Sequence, residues 1–208
     1  MRQRGRGTSG VALSVAGLAC WCFVGPARAG AQAVTDVGIG LGDPAAPVLV
    51  VEYADFGCSA CAEFALMTFH AIEAEFVRTG KVRWRMVPFV LGPFRHSKHA
   101  AAAALCAAEQ DGFWRMHDRL FESQRQWSSA GDPGPALSAH AAAMGLDSAR
   151  FQACLRSDAT VDRVRDFTKL AREARVRGTP TFFVNERRVV GALPQPMFRE
   201  LLIDAGKR

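Results

Sequence analysis

The order of apolar and polar positions predicts a β-α-β unit in the first half of the chain. Residues 48–54 form a short apolar and β-branched run, which is typical of a buried central strand. One face of a helix follows, because apolar residues recur there at three- and four-residue steps: Leu66, Phe69, Ile72 and Phe76. Residues 82–86 then alternate apolar side chains with Arg83 and Arg85, which indicates a second strand.

The second half of the chain combines a helical region with a short hairpin. Residues 97–176 carry almost only helical patterns, and Asp147 is placed to cap one of these helices. Residues 181–184 and 188–190 are expected to form two strands joined by a turn, and a last helix is expected at about 195–205. The predicted order is therefore β-α-β, helices, β-β-α, which is an α/β arrangement.

The first 29 residues have the layout of a secretory signal peptide. Three arginines precede an apolar stretch at 11–24, and the small-x-small sequence 27–29 predicts cleavage after Ala29. An uncleaved anchor is the alternative, although about 15 apolar residues are fewer than the roughly 20 that span a bilayer. Cleavage after Ala33 and lipidation at Cys20 are two further possibilities. Residues 30–46 have no apolar period and are expected to form a linker, with the folded domain at 47–206.

Composition and charge indicate an ordinary globular domain. The 208 residues are 49% hydrophobic and 22% charged, so a wholly disordered, collagenous or coiled-coil chain is excluded. The formal charge is +6, and removal of residues 1–29 takes away four arginines and no acid, which leaves +2. The remaining basic residues are interspersed with acids rather than aligned in a stripe. We therefore expect no nucleic-acid partner.

The candidate chemistry lies in Cys58-Ser-Ala-Cys61, where the first strand passes into a helix. A thiol at a helix N-terminus meets free backbone N–H groups and the positive end of the helix dipole, which stabilise the thiolate. We therefore predict that Cys58 is the nucleophile. Cys61 lies one turn later, where it can close a disulfide with Cys58 and resolve a mixed disulfide. Ser59 and Ala60 carry no charge that would add to this effect.

Zinc or copper binding and a purely structural disulfide are the main alternatives for a lone CxxC motif. A four-ligand zinc site needs a second pair of ligands, which His96 and His99 could supply. The 34 residues between Cys61 and His96 greatly exceed the spacing of a zinc finger. We therefore expect no metal at this motif.

Two segments resemble the DsbA-like thiol:disulfide oxidoreductases of the thioredoxin fold. They are Phe56-Gly-Cys58-Ser-Ala-Cys61 after the apolar strand, and Gly178-Thr-Pro-Thr-Phe-Phe-Val-Asn185. The resemblance covers about residues 40–206. It implies a thioredoxin fold, built from β-α-β and β-β-α halves, with the helical region at about 97–176 as an insertion.

The resemblance also implies roles for further residues. Thr179 and Pro180 match the cis-proline loop that faces the active-site cysteines in that family and binds the substrate. Glu52, six residues before Cys58, matches the family's buried acid near the second cysteine, and it could relay protons to Cys61. An edge-facing glutamate and an ordinary loop proline are the alternative interpretations.

A second pair of cysteines lies in the helical region. Cys106 and Cys154 both share a helix face with apolar neighbours, so both could point into the same core. We predict a disulfide between them, which would close a loop of 49 residues and stabilise the domain by roughly 4 kcal/mol in the chain-entropy model. Two separate buried thiols are the alternative.

These observations predict an exported thiol:disulfide oxidoreductase, periplasmic or secreted, that donates the Cys58–Cys61 disulfide to newly translocated proteins. We expect a monomer without a bound cofactor. The resemblance further implies a membrane quinone-linked partner that reoxidises the pair.

Three other functions compete with this prediction. A disulfide isomerase or reductase would use the same residues in the opposite direction, and a metal carrier would use the cysteines as ligands. A chaperone-like binder would use aromatic side chains, provided that these are exposed: Phe89, Phe94, Phe113, Trp114 and Trp127.

Overall fold

A computed structural model describes residues 37–207 of the chain. It contains a five-stranded sheet of order β1-β3-β2-β4-β5, in which β2 and β3 run parallel and the other neighbours run antiparallel. The strands are β1 Ile39–Leu41, β2 Val48–Ala54, β3 Val82–Pro88, β4 Thr181–Val184 and β5 Arg187–Val190.

Eight helices follow or connect these strands in the described part of the chain. The first, α1, is continuous and consists of four segments: Ser59–Phe64, the π-helical Ala65–Phe69, His70–Ile72 and the π-helical Glu73–Val77. The others are α2 Ser97–Ala108, α3 Phe113–Glu122, α4 Gln124–Ser129, α5 Gly134–Ala143, α6 Ser148–Leu155, α7 Asp158–Glu173 and α8 Gln195–Gly206.

The predicted thioredoxin fold is confirmed. Strands β2 and β3 with α1 form the β-α-β half, and β4, β5 and α8 form the β-β-α half. Helices α2 to α7 lie between the two halves in the chain, within the predicted span 97–176. The Asp147 carboxylate caps α6 by accepting a hydrogen bond of 2.9 Å from the Arg150 N–H, as its position predicts.

The predicted linker at residues 30–46 is wrong for the part that the structure describes. Strand β1 lies within it and pairs antiparallel with β3. A Cβ on Gly38, which has a φ of 91°, would clash with the Met86 carbonyl, so the glycine allows the backbone to approach β3. The Trp114 indole N–H also donates a hydrogen bond of 2.7 Å to the Gly40 carbonyl. Backbone contacts of this kind leave no apolar period in the sequence.

The predicted apolar face of α1 is wrong at Leu66. The Leu66 side chain is 41% exposed, whereas the Phe64 side chain is buried and packs against the sheet. A π-helical turn holds more residues than an α-helical turn, so the turn at Ala65–Phe69 rotates the face that meets the sheet.

The sheet separates two apolar clusters, and a third fills the helical insertion. One cluster packs α1 and α8 against the sheet, with Phe64, Trp84 and Phe198 at its centre. A smaller cluster, including Tyr53 and Val176, lies on the opposite face beneath the end of α7. The third cluster extends from the helical insertion to Cys58 and Cys61, so the cysteine pair is packed between the insertion and the thioredoxin half.

The predicted disulfide between Cys106 and Cys154 is present, and it joins α2 to α6. None of the helices within residues 37–207 is both long enough and apolar enough to cross a bilayer. The predicted signal peptide at 1–29, its alternative cleavage site and the anchor alternative lie outside the described residues.

Candidate active site

Cys58 occupies the N-cap position of α1, directly after a short loop that follows β2. Its backbone is extended, and its N–H donates a hydrogen bond of 3.0 Å to the Asp55 carbonyl. The Cys58 carbonyl in turn accepts the Ala62 N–H at 3.1 Å, the first bond of the helix. The side chain therefore sits at the positive end of α1, next to N–H groups that have no partner within the helix.

The environment of Cys58 favours its thiolate. The pKa of Cys58 is lowered to about 6, chiefly by a hydrogen bond from the Cys61 side chain. Burial acts in the opposite direction, while the polar Thr179 side chain and hydrogen bonds from the backbone at Cys61 and Ala60 lower the pKa further. At neutral pH most of Cys58 is therefore in the nucleophilic form.

Cys61 has the opposite character. Its side chain is fully buried, and both cysteines are free thiols in this structure. Burial raises the pKa of Cys61 well above its usual value, and the hydrogen bond and negative charge of Cys58 add to the effect. The pair thus consists of one thiol that ionises easily and one that keeps its proton, which is the asymmetry that thiol-disulfide exchange requires.

The loop around Pro180 faces Cys58. The Thr179–Pro180 bond is cis, as the resemblance implied, and the Cys58 thiol lies 3.4 Å from the Thr179 carbonyl oxygen. The Thr179 hydroxyl is buried and has no protein acceptor or donor within hydrogen-bond distance in residues 37–207. Its place beside Cys58 leaves it available to a thiolate or to a substrate backbone.

Glu52 lies in the middle of β2 and is almost completely buried. Its carboxylate accepts a hydrogen bond of 3.0 Å from the Trp84 indole N–H. Burial raises the pKa of Glu52 to about 7, although the bond from Trp84 opposes the shift. Within the described residues no hydrogen bond joins Glu52 to Cys61, so its proposed action on that thiol stays a prediction.

Asp55 braces the loop that carries Cys58. Its buried carboxylate accepts hydrogen bonds from the Gly57 N–H at 2.8 Å, the Leu91 N–H at 2.9 Å and the Ser97 hydroxyl at 2.5 Å. Asp55 was not among the predicted site residues, although Asp-x-Gly is the pattern of a turn in which the carboxylate accepts a hydrogen bond from the N–H two residues later.

Gln124 clamps the same loop from the helical insertion. Its side-chain amide donates hydrogen bonds to the Phe56 carbonyl at 2.7 Å and to the Cys58 carbonyl at 2.9 Å. No sequence signal could have identified this residue, because it lies 66 positions after Cys58 and belongs to a short helix of the insertion.

The structure thus brings Cys58, Cys61, Thr179 and Pro180 together, whereas Cys106 and Cys154 form a separate pair inside the insertion. Across residues 37–207 there is no group of three or more His, Cys, Asp or Glu side chains that could hold a metal ion.

Comparison with known proteins supports the same interpretation. A protein-family model described as thioredoxin matches residues 34–204. The chain belongs to this thioredoxin family. In fold it resembles the crystal structure of alpha-DsbA1 from Wolbachia pipientis, with a TM-score of 0.73, 23% identity and coverage of 81% of this chain and 90% of that one. The predicted resemblance to DsbA-like proteins is therefore confirmed.

Two curated relatives differ in how much of their length the chain spans. It is 29% identical over 164 residues to a probable disulfide bond formation protein D of Bacillus anthracis, covering 77% of this chain and 73% of that protein. It is 38% identical over 146 residues to the Na(+)/H(+) antiporter NhaA 3 of Salinispora tropica, covering 69% of this chain. The match spans only 21% of the antiporter, so this thioredoxin family member corresponds to a small part of that protein.

Proposed function

We propose that the protein is an exported thiol:disulfide oxidoreductase that transfers the Cys58–Cys61 disulfide to folding secreted proteins. The observation that carries the proposal is the asymmetric thiol pair beside the Thr179 carbonyl. Cys58 has a pKa of about 6 at a helix N-terminus, while Cys61 is buried and its pKa is raised. The similarity to a probable disulfide bond formation protein supports the same activity.

The reaction begins with the Cys58–Cys61 disulfide and a substrate dithiol. A substrate thiolate attacks the Cys58 sulfur, the bond to Cys61 breaks, and Cys61 leaves as a thiolate that takes up a proton. Glu52 is the proposed source of that proton, because its pKa of about 7 keeps part of the carboxyl protonated at neutral pH.

The second step completes the transfer. The other substrate thiolate attacks the substrate sulfur of the mixed disulfide, a substrate disulfide forms, and Cys58 leaves. Two electrons have then passed from the substrate to the protein. The low pKa of Cys58 makes it a good leaving group in this step.

The same pKa favours the oxidase direction over the reductase direction. A shift from 9.0 to about 6 stabilises reduced Cys58 at pH 7 by about 1.4 kcal/mol, which corresponds to roughly 30 mV in a two-electron couple. The protein disulfide therefore becomes a stronger oxidant than an unperturbed pair. An isomerase would need the same Cys58 thiolate but a Cys58–Cys61 pair that is kept reduced.

Export is proposed from the predicted signal peptide and from the Cys106–Cys154 disulfide, since structural disulfides persist mainly in oxidising compartments. The family resemblance supports reoxidation by a membrane quinone-linked partner. The chaperone-like alternative finds little support, because Phe89, Phe113 and Trp127 are buried.

The test is catalysed oxidation of a reduced, unfolded secreted protein by the oxidised full chain, followed by mass spectrometry of trapped thiols. We expect one substrate disulfide per protein disulfide, and we expect Cys58→Ser to abolish the transfer. The exposed neighbour Ser59, changed in Ser59→Ala, is the matched control and should keep it. Transfer by the Cys58→Ser variant would contradict the proposal.

A further inference from the structure

A cationic cavity lies next to the loop that faces Cys58. Its volume is about 500 Å³, and it opens between the end of α7 and the edge strand β5. Three arginines line it together with Gly178 and Thr181: Arg175, Arg177 and Arg188.

The arginines of this cavity are free of intramolecular ion pairs. Within residues 37–207 no carboxylate lies within salt-bridge distance of any of the three. The surrounding segment 172–190 contains five arginines and two glutamates, and one of these glutamates, Glu173, pairs with Lys169. The cavity therefore presents positive charge that the protein itself does not neutralise.

One of the three guanidinium groups is fixed in place. Arg188 donates hydrogen bonds to the Arg175 carbonyl at 3.2 Å and to the Ala174 carbonyl, and it lies 4.9 Å from the centre of the Phe183 ring. These contacts leave other N–H groups of the guanidinium free. They also reduce the side-chain entropy that would be lost when an anion binds.

The cavity is continuous with the substrate loop. Gly178 and Thr181, which line it, flank the Thr179–Pro180 pair, and the Thr179 carbonyl lies 3.4 Å from the Cys58 sulfur. An extended polypeptide advances about 3.3–3.6 Å per residue, so we expect a chain attached to Cys58 and running along this loop to meet the cavity with residues two to four positions from its own cysteine. The occupant that this position favours is therefore a segment of the substrate chain itself.

A larger cavity on the other side of Cys58 does not present charge of one sign. It has a volume of about 790 Å³ between α1 and the insertion, and its charged lining residues are two glutamates and two arginines: Glu63, Glu122, Arg119 and Arg125. Arg119 and Glu122 form an ion pair of 3.3 Å with each other.

We propose that the cavity lined by Arg175, Arg177 and Arg188 binds an acidic side chain that flanks the reacting cysteine of the substrate polypeptide. The protein would then oxidise cysteines in acidic sequence surroundings faster than those in neutral or basic ones. This inference rests on the proposed function and names the class of substrate that the same site prefers.

The test measures single-turnover oxidation of reduced two-cysteine peptides by the oxidised full chain. The peptides carry Glu, Gln or Lys two to four residues before or after the first cysteine and are otherwise identical. We expect the best Glu peptide to react about threefold or more faster than its Gln counterpart at low ionic strength, and the Lys peptide to react slowest. The preference should disappear near 0.5 M salt, where the Debye length is roughly 4 Å.

Arginine variants test whether the cavity causes the preference for the Glu peptide. Arg177→Gln and Arg175→Gln should each reduce the ratio of Glu to Gln rates towards one. The matched control is Arg187→Gln, because Arg187 lies in the same hairpin but lines a different cavity, and it should keep the ratio.

Equal rates for the Glu and Gln peptides, or an equal loss of preference in Arg187→Gln, would overturn the inference. So would arginine-dependent binding to vesicles of anionic phospholipid without any peptide preference, because the cavity would then serve a membrane surface. The neutral dithiol dithiothreitol separates the two proposals: if the oxidised chain fails to oxidise it, the proposed function itself fails.

Discussion

At the scale of single residues, the site depends on opposite treatment of two thiols and on one buried carboxyl group. Cys58 is stabilised as a thiolate, and Cys61 is kept protonated by burial and by the charge of its neighbour. Burial removes Glu52 from solvent, and no cationic side chain pairs with it in the described part of the chain, so its pKa is raised. Each of these shifts has a direct experimental consequence.

The Thr179 hydroxyl should contribute to the reactivity of Cys58. Thr179→Val keeps the shape of the side chain but removes the polar hydroxyl that lowers the pKa of Cys58, so this pKa should rise above its value of about 6. The pH dependence of alkylation of Cys58 by iodoacetamide measures it directly. Thr181→Val is the control, since the Thr181 hydroxyl bonds to the Gly178 carbonyl, and its midpoint should stay near 6. Identical profiles for Thr179→Val and the wild type would refute this role.

Glu52 should make the protein less stable as the pH rises. Its folded pKa of about 7 lies above the ordinary 4.5, so the folded state holds a proton that the unfolded state loses between these values. The free energy of unfolding therefore falls across that range, by up to about 3 kcal/mol above pH 7.

The Glu52→Gln variant isolates this effect because its amide stays neutral and can still accept the Trp84 bond. Urea unfolding of both proteins at pH 5 and pH 8 should show a smaller loss of stability in Glu52→Gln. Parallel losses in the two proteins would mean that Glu52 is not the group responsible.

At the scale of elements, the helical insertion supports the loop that carries Cys58. The two hydrogen bonds of Gln124 reach that loop from the start of α4, and Ser97 at the start of α2 reaches it through Asp55. Gly57 lies so close to α2 that a Cβ there would clash with Ser97 and Phe94. The insertion is therefore part of the active-site scaffold.

Removal of the Gln124 amide should destabilise the protein. Gln124→Ala leaves the Phe56 and Cys58 carbonyls without their side-chain donor, which should lower the free energy of unfolding by about 1–3 kcal/mol. Gln126→Ala changes an exposed glutamine of the same helix and should stay within about 0.5 kcal/mol of the wild type. Urea unfolding at pH 7 measures both, and equal stabilities of the two variants would contradict the bracing role.

At the scale of the whole molecule, the features that could be predicted from the sequence are those that depend on residues close together in the chain. Strand periodicity was enough to predict the order of β2 to β5 along the chain, and the resemblance carried by the two motif segments implied the cis Thr179–Pro180 loop facing Cys58 and Cys61. The Cys106–Cys154 pairing followed from helix faces in the same way.

The sequence predicts poorly what depends on contacts between distant segments. Strand β1 is stabilised by backbone bonds that Gly38 permits, and Leu66 became exposed because α1 contains a π-helical turn. Gln124 and the three arginines of the cationic cavity acquire a function only when α4, α7 and β5 are placed around the loop. None of these contacts has a local signal.

The central claim is that the protein donates its Cys58–Cys61 disulfide. The most direct test is the equilibrium reduction potential of that pair in the full chain, obtained by titration against glutathione and quantification of Cys58 and Cys61 thiols. We predict a value between about −120 and −180 mV, the range of oxidising and isomerising catalysts. A value near −270 mV would contradict it, because such a pair is a reductant and a poor disulfide donor.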